Sequence, residues 1–280
     1  MEPKAIINFH AHLQRDAQTG DPVISRMSVP RYVEHCRSLG VRWACVSAGS
    51  LAWGSDPNGL VRECFERHPD ALIGMVFIRL GKDDPEAVDR YHAEGFRGLK
   101  MINPAYPYDD PRAYDYYRRA ERLGMPILFH TGWVAYNDVE RRDYVNCAFM
   151  RPVCLDTICR NFPALNVVGA HLGNYWWEEA VYLSTKHDNL FFDLSGGSIR
   201  MKSLRFFRDA FSKGAVPNLE STDEVLDLAP FDHFVYGSDN PPPEVLLTFY
   251  RNLMTLLGVP DETQHRVYWS NAAKLLHIEN

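Results

Sequence analysis

The 280-residue sequence has no long apolar run, and it therefore offers no candidate membrane-spanning helix. Its first residues, Met1 to Phe9, lack the long apolar stretch and the small-residue cleavage site of a secretory signal. Basic residues are not in surplus, because 30 Lys and Arg stand against 36 Asp and Glu and give a net charge of −6. These absences argue against a membrane or nucleic-acid partner.

The six cysteines form no C-x-x-C pair, and the two closest, Cys154 and Cys159, match no common zinc-binding spacing. Most of them lie in apolar or helical segments, where small buried thiols are typical. Such a set favours a reducing compartment, so we expect a cytoplasmic protein. Repeats, low-complexity tracts and Ser/Gly linkers are also absent. We therefore expect one globular domain over residues 1–280.

What the sequence does contain is a repeated order of a short apolar run and an amphipathic helical segment. The runs are rich in Val, Ile, Leu and Phe and mostly lack polar alternation, which is typical of strands buried on both faces. The eight runs are Ala5–Phe9, Val41–Ser47, Leu72–Phe77, Gly98–Met101, Pro126–Phe129, Asn166–Ala170, Leu190–Asp193 and Phe234–Tyr236. Eight strands, each followed by a helix, predict an α/β fold of the (β/α)₈ TIM-barrel type.

A doubly wound sheet would alternate in the same way, so the polar residues decide between the two folds. Side chains able to bind a metal follow several of the predicted strands: His10, His12, His130, His171 and Asp239, with Lys100 after the fourth strand. The carboxyl ends of all strands meet at one mouth in a barrel but are spread out in an open sheet. If these residues form one site, their distribution favours the barrel.

The spacing of His10 and His12 has a physical reason. Residues i and i+2 of a strand point to the same face, so both imidazoles can reach one cation. Adding His130 and Asp239 gives three nitrogens and one oxygen, a set suited to Zn²⁺ and also to Fe²⁺ or Mn²⁺. Each residue alone is more typical of an ordinary core or loop position, and the prediction depends on the combination. The other histidines lie in predicted helices or loops.

Several segments in this order resemble the amidohydrolase superfamily, and most closely its amidohydrolase-2 branch of metal-dependent hydrolases and non-oxidative decarboxylases. The matching segments are His10-Ala11-His12, Gly95–Lys100, Phe129–Gly132, Ala170–Gly173, Gly237-Ser238-Asp239 and Trp269–Leu275. The resemblance implies a distorted barrel with a metal at its mouth. The sequence departs from the pattern at Asn8, where many relatives carry Asp, and after Asp239, where Asn240 and three prolines replace an aromatic-Pro pair.

The resemblance also implies roles for these residues. His10, His12, His130 and Asp239 would hold a single divalent ion that activates water, with Zn²⁺ expected before Mn²⁺ or Fe²⁺. Asp239 would take the proton from water and pass it to the leaving group, and His171 would polarise the substrate carbonyl or hold the oxyanion. In a two-metal alternative, Lys100 would be carboxylated and bridge the ions. In a third version, the Lys100 cation would bind a substrate carboxylate.

Substrate-facing residues are chosen by their place after the predicted strands. Arg79 could bind a carboxylate with its planar guanidinium, as could Arg15, although both could equally be surface arginines. The aromatic residues of the loops after the fifth and sixth strands could line a pocket for a flat or cyclic organic acid, or could simply pack those loops. They are Trp133, Tyr136, Trp176 and Trp177. Asn103 and Asn174 stand where a polar contact to substrate would be useful.

We therefore expect a metal-dependent hydrolase that acts on an amide, lactone or related ester-like bond of a small organic substrate. The first alternative is a non-oxidative decarboxylase (a lyase) of an aromatic or muconate-type acid that uses the same metal site. The second is a barrel that keeps the ligands but serves as a binding or scaffold protein. The expected partner is a small molecule. A homo-oligomer is also compatible with the sequence, and Trp176 and Trp177 could then lie at an interface.

Overall fold

The computed structural model describes residues 5–48, 56–134, 145–212 and 225–279. The strands are β1 (Ile6–Arg15), β2 (Pro22–Ile24), β3 (Met27–Ser28), β4 (Val41–Ala48), β5 (Leu72–Ile78), β6 (Gly98–Met101), β7 (Ile127–Phe129), β8 (Val167–Gly169), β9 (Leu190–Asp193) and β10 (Phe234–Val235). The helices are α1 (Val29–Ser38), α2 (Pro57–Arg67), α3 (Ala87–Ala93), α4 (Tyr114–Arg122), α5 (Val153–Asn161), α6 (Trp177–Ser184), α7 (Leu204–Ala210), α8 (Pro243–Leu257), α9 (Asp261–His265) and α10 (Asn271–Leu275).

Eight parallel strands form the predicted barrel. Each pairs with the next one along the chain, in the order β1, β4, β5, β6, β7, β8, β9 and β10. The ring is closed between β1 and the segment after β10 by a parallel bridge of Ala11 with Asp239 and by the Phe9 amide, which donates to the Tyr236 carbonyl at 2.8 Å. Every predicted strand is present, and the TIM-barrel prediction is confirmed.

A hairpin at one side of the barrel is the main feature that the sequence did not predict. Strand β2 pairs antiparallel with the end of β1, and β3 pairs with β2. The two-residue turn between β2 and β3 places both Ser25 and Arg26 at positive φ, 51° and 64°. Such turns usually carry Asn-Gly or Asp-Gly, so Ser-Arg gives no recognisable turn signal. The hairpin packs toward the loop after β10, where the Ser25 hydroxyl donates to the Pro241 carbonyl at 3.1 Å.

A bulge in β1 determines which of its side chains face the barrel interior. Ile7 and Phe9 belong to the inner core, whereas Ala11 and Leu13 belong to the outer core. The register with β4 shifts between Asn8 and Ala11, so the alternation changes phase there. Without this shift, the side chains of His10 and His12 would point outward, toward the surrounding helices. The bulge therefore turns both histidines of the His-x-His segment toward the barrel axis.

Two apolar layers surround the strands. The inner layer fills the barrel with residues from alternate strand positions: Ile7, Phe9, Cys45, Met75, Leu128, Val168, Phe191 and Val235. Helix α10 closes the amino-terminal end of this layer with Ala272, Ala273 and Leu275. The outer layer packs the helices against the opposite strand faces. No helix in the described part of the chain is long and apolar enough to cross a membrane. Because apolar side chains fill the barrel interior, polar side chains that face the barrel axis can lie only at the carboxyl ends of the strands.

Candidate active site

The predicted polar residues gather at the carboxyl end of the barrel. Among the described residues, two groups bring three donor atoms within 4.8 Å of one another, His10 with His12 and Asp239, and His10 with His171 and Asp193. His10, His171 and Asp193 are buried, as is His12, which is 7 % exposed. The structure thus joins residues from four strand ends around the His10 ring: His10, His12 and Asp239 of the predicted metal set, with His171 and Asp193.

Three atoms able to bind a metal face one another in the first group. His12 Nε2 lies 3.0 Å from His10 Nε2 and 3.1 Å from Asp239 Oδ1. Because the Asp193 oxygen 2.8 Å from His10 Nδ1 only accepts, His10 carries its proton on Nδ1 and Nε2 is unprotonated. The Asp239 oxygen also only accepts, so without an ion His12 carries its proton on Nε2, while the Ser47 hydroxyl at 3.3 Å can donate to His12 Nδ1. A divalent cation between the three atoms would replace that His12 proton, and two imidazole nitrogens with a carboxylate oxygen suit such an ion.

Burial keeps the charge states that a cation requires. Desolvation, with help from the nearby Lys100 ammonium, lowers the pKa of His10 to about 3. Burial and the neighbouring His171 lower the pKa of His130 well below 6.5. Burial would raise the pKa of the Asp239 carboxyl, but its hydrogen bond with His12 and the surrounding histidines hold it well below 3.8. Neutral imidazoles beside an ionised carboxylate are the states that bind a divalent metal, so the residues fit the ion that the sequence predicts.

Lys100 projects from β6 into the same cluster. Its side chain is fully buried, and Nζ lies 3.2 Å from His10 Nε2, the atom that would bind the ion. Burial lowers the pKa of Lys100 to about 8, against the opposing effect of the Asp239 and Asp193 carboxylates. An ammonium in this position competes with a metal for the lone pair of His10. Lys100 therefore has to move, lose a proton or be modified when the site is loaded.

His130 stands next to this cluster without joining it. Its ring centroid lies 4.8 Å from that of His171, and its Nε2 lies 3.2 Å from the Trp133 carbonyl oxygen. Neither of the two three-residue groups includes it. As a metal ligand His130 would have to use Nδ1 or break the contact with Trp133, and its role stays a prediction.

His171 lies in a strained turn directly after β8. Its φ is 64°, and Leu172 follows at 46°. The His171 Nδ1 atom lies 3.1 Å from the Ser195 carbonyl oxygen and 3.0 Å from the Ser195 hydroxyl. Gly196 is required beside it, since a Cβ there would lie 2.9 Å from His171 Nδ1. The contacts occupy Nδ1 and leave Nε2 for a substrate. To stabilise an oxyanion the ring would need a second proton, on Nε2.

Backbone strain is concentrated around the site. Eight non-glycine residues of the described chain have positive φ, and five of them follow barrel strands: Asn103, His171, Leu172, Tyr175 and Asp239. Strained backbone is retained where surrounding contacts hold it in place, and it is frequent at functional sites. The strained backbone therefore indicates that the functional site lies at the carboxyl-terminal rim of the barrel, where the histidine cluster also lies.

Asp193 is the residue of this site that the sequence prediction missed. It ends β9 and is fully buried, and Oδ1 accepts hydrogen bonds from the amides of His171 at 2.8 Å and Ser195 at 2.9 Å, while Oδ2 contacts His10 Nδ1. Burial would raise the pKa of this carboxyl, but the His10 and His171 rings hold it below its usual range. The signal was present in the sequence, because Asp193 follows an apolar run in the same way as the residues that were selected.

The two arginines that were predicted to face the substrate, Arg79 and Arg15, form hydrogen bonds with residues close to them in the sequence. Arg79 pairs with Asp83, through its Nε at 2.8 Å and its terminal nitrogen, and lines a cavity of about 190 Å³ with Asp56 and Asn58. Arg15 ends β1, and its guanidinium donates to the Gly20 carbonyl. Neither arginine contacts the histidine cluster through these bonds. The substrate roles proposed for them stay predictions.

The aromatic residues stand nearer the cluster. Trp133 stacks on Trp176 with ring centroids 6.3 Å apart and meets Tyr175 edge-on at 6.0 Å. We call Trp133, Tyr175 and Trp176 the aromatic wall. Trp133 is 55 % exposed, and its backbone oxygen contacts His130. Tyr136 lies outside the described residues.

Asn103 has a buried acceptor atom, Oδ1, that makes no hydrogen bond within the described residues. Its backbone is in the left-handed conformation, with φ 52°, just after β6. A buried acceptor without a partner costs about 1–3 kcal/mol unless a ligand or water satisfies it. The position is therefore suited to accept a hydrogen bond from a substrate, as the sequence suggested.

A cavity of about 500 Å³ lies elsewhere in the described part of the chain. Its walls come from the starts of strands, such as Trp43 of β4, from residues before β6, such as His92 and Arg97, and from the final turn around His277. This is the amino-terminal end of the barrel, opposite the histidine cluster. In barrel enzymes the chemistry takes place at the carboxyl end, so we place the active site at the histidine cluster.

Comparison with known families and structures agrees with the barrel fold. A sequence model of the amidohydrolase family matches residues 52–278. No curated protein matches the chain. Among solved structures, an uncharacterised TIM-barrel protein from Bordetella bronchiseptica has 17 % identity and a TM-score of 0.67, over 98 % of this chain and 99 % of that one.

Two further solved structures have names that refer to a reaction. A dihydroxybenzoic acid decarboxylase from Polaromonas, with bound manganese and the inhibitor 2-nitroresorcinol, has 14 % identity and a TM-score of 0.64, over 99 % of this chain and 98 % of that one. A probable 2-pyrone-4,6-dicarboxylic acid hydrolase from Acinetobacter baumannii, with citric acid bound, has 14 % identity and a TM-score of 0.60, over 99 % and 100 %. At these identities the likeness shows the shared fold.

Proposed function

The chain belongs to the amidohydrolase family, in its amidohydrolase-2 branch, and from that premise we propose that it is a metal-dependent hydrolase of a small organic acid. The bond attacked would be an amide, a lactone or a related ester-like bond. The observation that carries the proposal is the set of three facing atoms able to bind a metal, His10 Nε2, His12 Nε2 and Asp239 Oδ1. We propose Zn²⁺ as the ion, with Mn²⁺ and Fe²⁺ as alternatives.

A bound ion would supply Lewis-acid chemistry, which makes water acidic enough to lose a proton near neutral pH. The chain's own residues then have separate tasks. Asp239 is ionised, so its carboxylate can take the proton from the attacking water and deliver it to the leaving group. His171, once protonated on both ring nitrogens, would donate from Nε2 to the substrate carbonyl. The aromatic wall would exclude water from one side of the substrate.

A decarboxylase is the second candidate, and two observations favour it. Lys100 places a buried amine beside the cluster, where an ammonium could neutralise a substrate carboxylate, and the aromatic wall offers a flat surface to an aromatic ring. The Polaromonas structure, which is a decarboxylase by name, shares the fold. In that reaction the bond between the ring and the carboxylate breaks, CO₂ leaves, and the electron pair of that bond stays on the ring carbon. The ring carbon would receive a proton from Asp239 or His171, which would first take it from the substrate hydroxyl or from solvent water.

An isotope experiment separates the two reactions. The metal-loaded protein is incubated in H₂¹⁸O with a panel of lactones, amides and hydroxybenzoates, and the products are analysed by mass spectrometry. Hydrolysis incorporates one ¹⁸O atom into the acid product, whereas decarboxylation releases CO₂ and leaves the product without ¹⁸O. If the protein binds metal but converts none of these substrates, the binding or scaffold alternative becomes the better interpretation.

Replacing Lys100 by methionine tests the number of ions. We expect the variant to bind one ion per chain at least as tightly as the parent protein, because the substitution removes the ammonium that competes for His10 Nε2. Metal content is measured by mass spectrometry after dialysis. Lys274→Met, at an exposed position on α10, is the matched control. If the parent binds two ions and the Lys100 variant loses one, the bridging carboxylated lysine of the two-metal alternative is the correct version.

Replacing Trp133 by alanine tests the aromatic wall. Loss of a stacking surface worth ~1.4 kcal/mol should raise KM about tenfold for the best substrate of the panel, with kcat nearly unchanged. Tyr182→Ala is the control, since Tyr182 is 66 % exposed on α6 and is not part of the wall. Equal KM values for both variants would mean that Trp133 only packs the loops.

A further inference from the structure

Asp193 makes two different kinds of contact through its two oxygens. Oδ1 accepts two backbone hydrogen bonds, from the amides of His171 and Ser195. Oδ2 lies 2.8 Å from His10 Nδ1. Both side chains of that second pair are completely buried. One carboxylate therefore fixes the backbone of the strained turn at His171 and the ring of His10 at the same time.

The close approach of Asp193 and His10 depends on a neighbouring glycine. A Cβ at Gly237 would lie 2.9 Å from the His10 Cβ and 3.0 Å from Asp193 Oδ2. Any other residue would push the two side chains apart. The segment after β10 thus leaves room for this contact.

The contact determines where the proton of His10 lies. A carboxylate oxygen only accepts hydrogen bonds, so His10 Nδ1 has to donate and Nε2 keeps its lone pair. The Ser195 hydroxyl, 3.1 Å from the same Nδ1, does not alter this, because a hydroxyl can accept as well as donate. The arrangement is not a Ser-His-Asp triad, in which Ser and Asp would contact different nitrogens of the ring.

We propose that Asp193 is a positioning residue that fixes the tautomer of His10, so that the Nε2 lone pair faces His12 and Asp239. The inference rests on the proposed function, in which these three residues hold a divalent ion. A carboxylate behind a metal-binding histidine orients the ring and raises its basicity, and its loss typically weakens metal binding roughly 10- to 100-fold. Asp193 itself does not touch the ion or the substrate.

Asp193→Asn isolates this role. The amides of His171 and Ser195 can only donate, so the asparagine oxygen has to face them and the NH₂ group has to face His10 Nδ1. The variant keeps the backbone contacts but donates to Nδ1, which forces the proton of His10 onto Nε2. Ser195→Ala is the matched control, since it removes the hydroxyl near the same nitrogen and leaves the carboxylate in place.

Two measurements test the proposal on the full chain. In the metal-free protein, ¹⁵N NMR of the His10 ring, assigned with His10→Gln, should show the Nδ1–H form in the parent and in Ser195→Ala, and the Nε2–H form in Asp193→Asn. Titration with Zn²⁺ should show a 10- to 100-fold higher Kd for Asp193→Asn than for the control.

The outcomes separate the proposal from the proposed function. A parent protein with His10 in the Nε2–H form would overturn the proposal even if Asp193→Asn failed to fold. An Asp193→Asn variant with the tautomer changed and Zn²⁺ affinity intact would also overturn it. A parent with the Nδ1–H form that binds no Zn²⁺, Mn²⁺ or Fe²⁺ would confirm the tautomer control and contradict the metal-dependent function.

Discussion

His12→Ala is expected to lose the bound metal and to lower kcat/KM by about 10³-fold or more. The substitution removes one of the three facing ligand atoms, and a metal contributes several kcal/mol of transition-state stabilisation, where each 1.36 kcal/mol is a factor of ten in rate. Metal content, measured by mass spectrometry, and turnover of the best panel substrate should fall together. The unfolding temperature of the metal-free variant should stay close to that of the metal-free parent, since His12 lies at the rim.

The control for this experiment is His92→Ala. His92 lies in α3, which precedes β6, and lines the cavity at the amino-terminal end of the barrel. It should keep full metal content and turnover. If His12→Ala also kept both, the enzyme interpretation would lose the metal centre formed by His10, His12 and Asp239.

Asp239→Asn is expected to lower kcat by about 10²- to 10⁴-fold, the usual contribution of a general acid–base group. The amide keeps the size of the carboxylate but cannot take a proton from water. Metal affinity should fall less than in His12→Ala, because the amide oxygen still faces His12. Under the decarboxylase alternative kcat falls as well if Asp239 protonates the ring carbon, and the ¹⁸O experiment decides which reaction has been lost.

Asp188→Asn is the matched control for that variant. Asp188 is exposed in the loop before β9, at the opposite end of the barrel. It should behave like the parent in turnover and metal content. A kcat within tenfold of the parent for Asp239→Asn would contradict the role in proton transfer and would leave Asp239 as a ligand only.

The barrel was predictable because its strands are buried on both faces. The runs Gly98–Met101 and Leu190–Asp193 have the same bounds in the sequence prediction and in the structure. The hairpin was not predictable, since its Ser25-Arg26 turn takes up positive φ without Asn or Gly. The turn propensities of Ser and Arg do not explain that turn. The hydrogen bond from Ser25 to the Pro241 carbonyl, more than 200 residues away in the sequence, helps to stabilise it.

The site was predictable in part for a related reason. The i, i+2 rule correctly places His10 and His12 on one face, but whether that face is inside or outside depends on a bulge that the sequence does not reveal. Asp193 was not predicted because the strand-end pattern rests on histidines and on the motifs that resemble the family, and Asp193 belongs to neither. Its importance arises from contacts with residues far along the chain, and these are visible only when β1, β8 and β9 are assembled.

The contacts of His130 and Lys100 could not be read from the sequence either. Both follow strands as predicted, yet His130 contacts the Trp133 carbonyl and Lys100 contacts His10. Strand position fixes the rim on which a side chain lies, while the local geometry of the loops fixes its partner. The metal content of the Lys100→Met variant decides among one ion, two ions and a free lysine.

The most direct test of the account is a crystal structure of the Zn²⁺-loaded protein with anomalous scattering recorded at the zinc edge. The account predicts a peak within about 2.0–2.2 Å of His10 Nε2, His12 Nε2 and an Asp239 oxygen. Asp193 should remain bound to His10 Nδ1 behind it. A map with no peak between these three residues, or with zinc held only elsewhere on the chain, would contradict the claim that the barrel mouth is a metal centre.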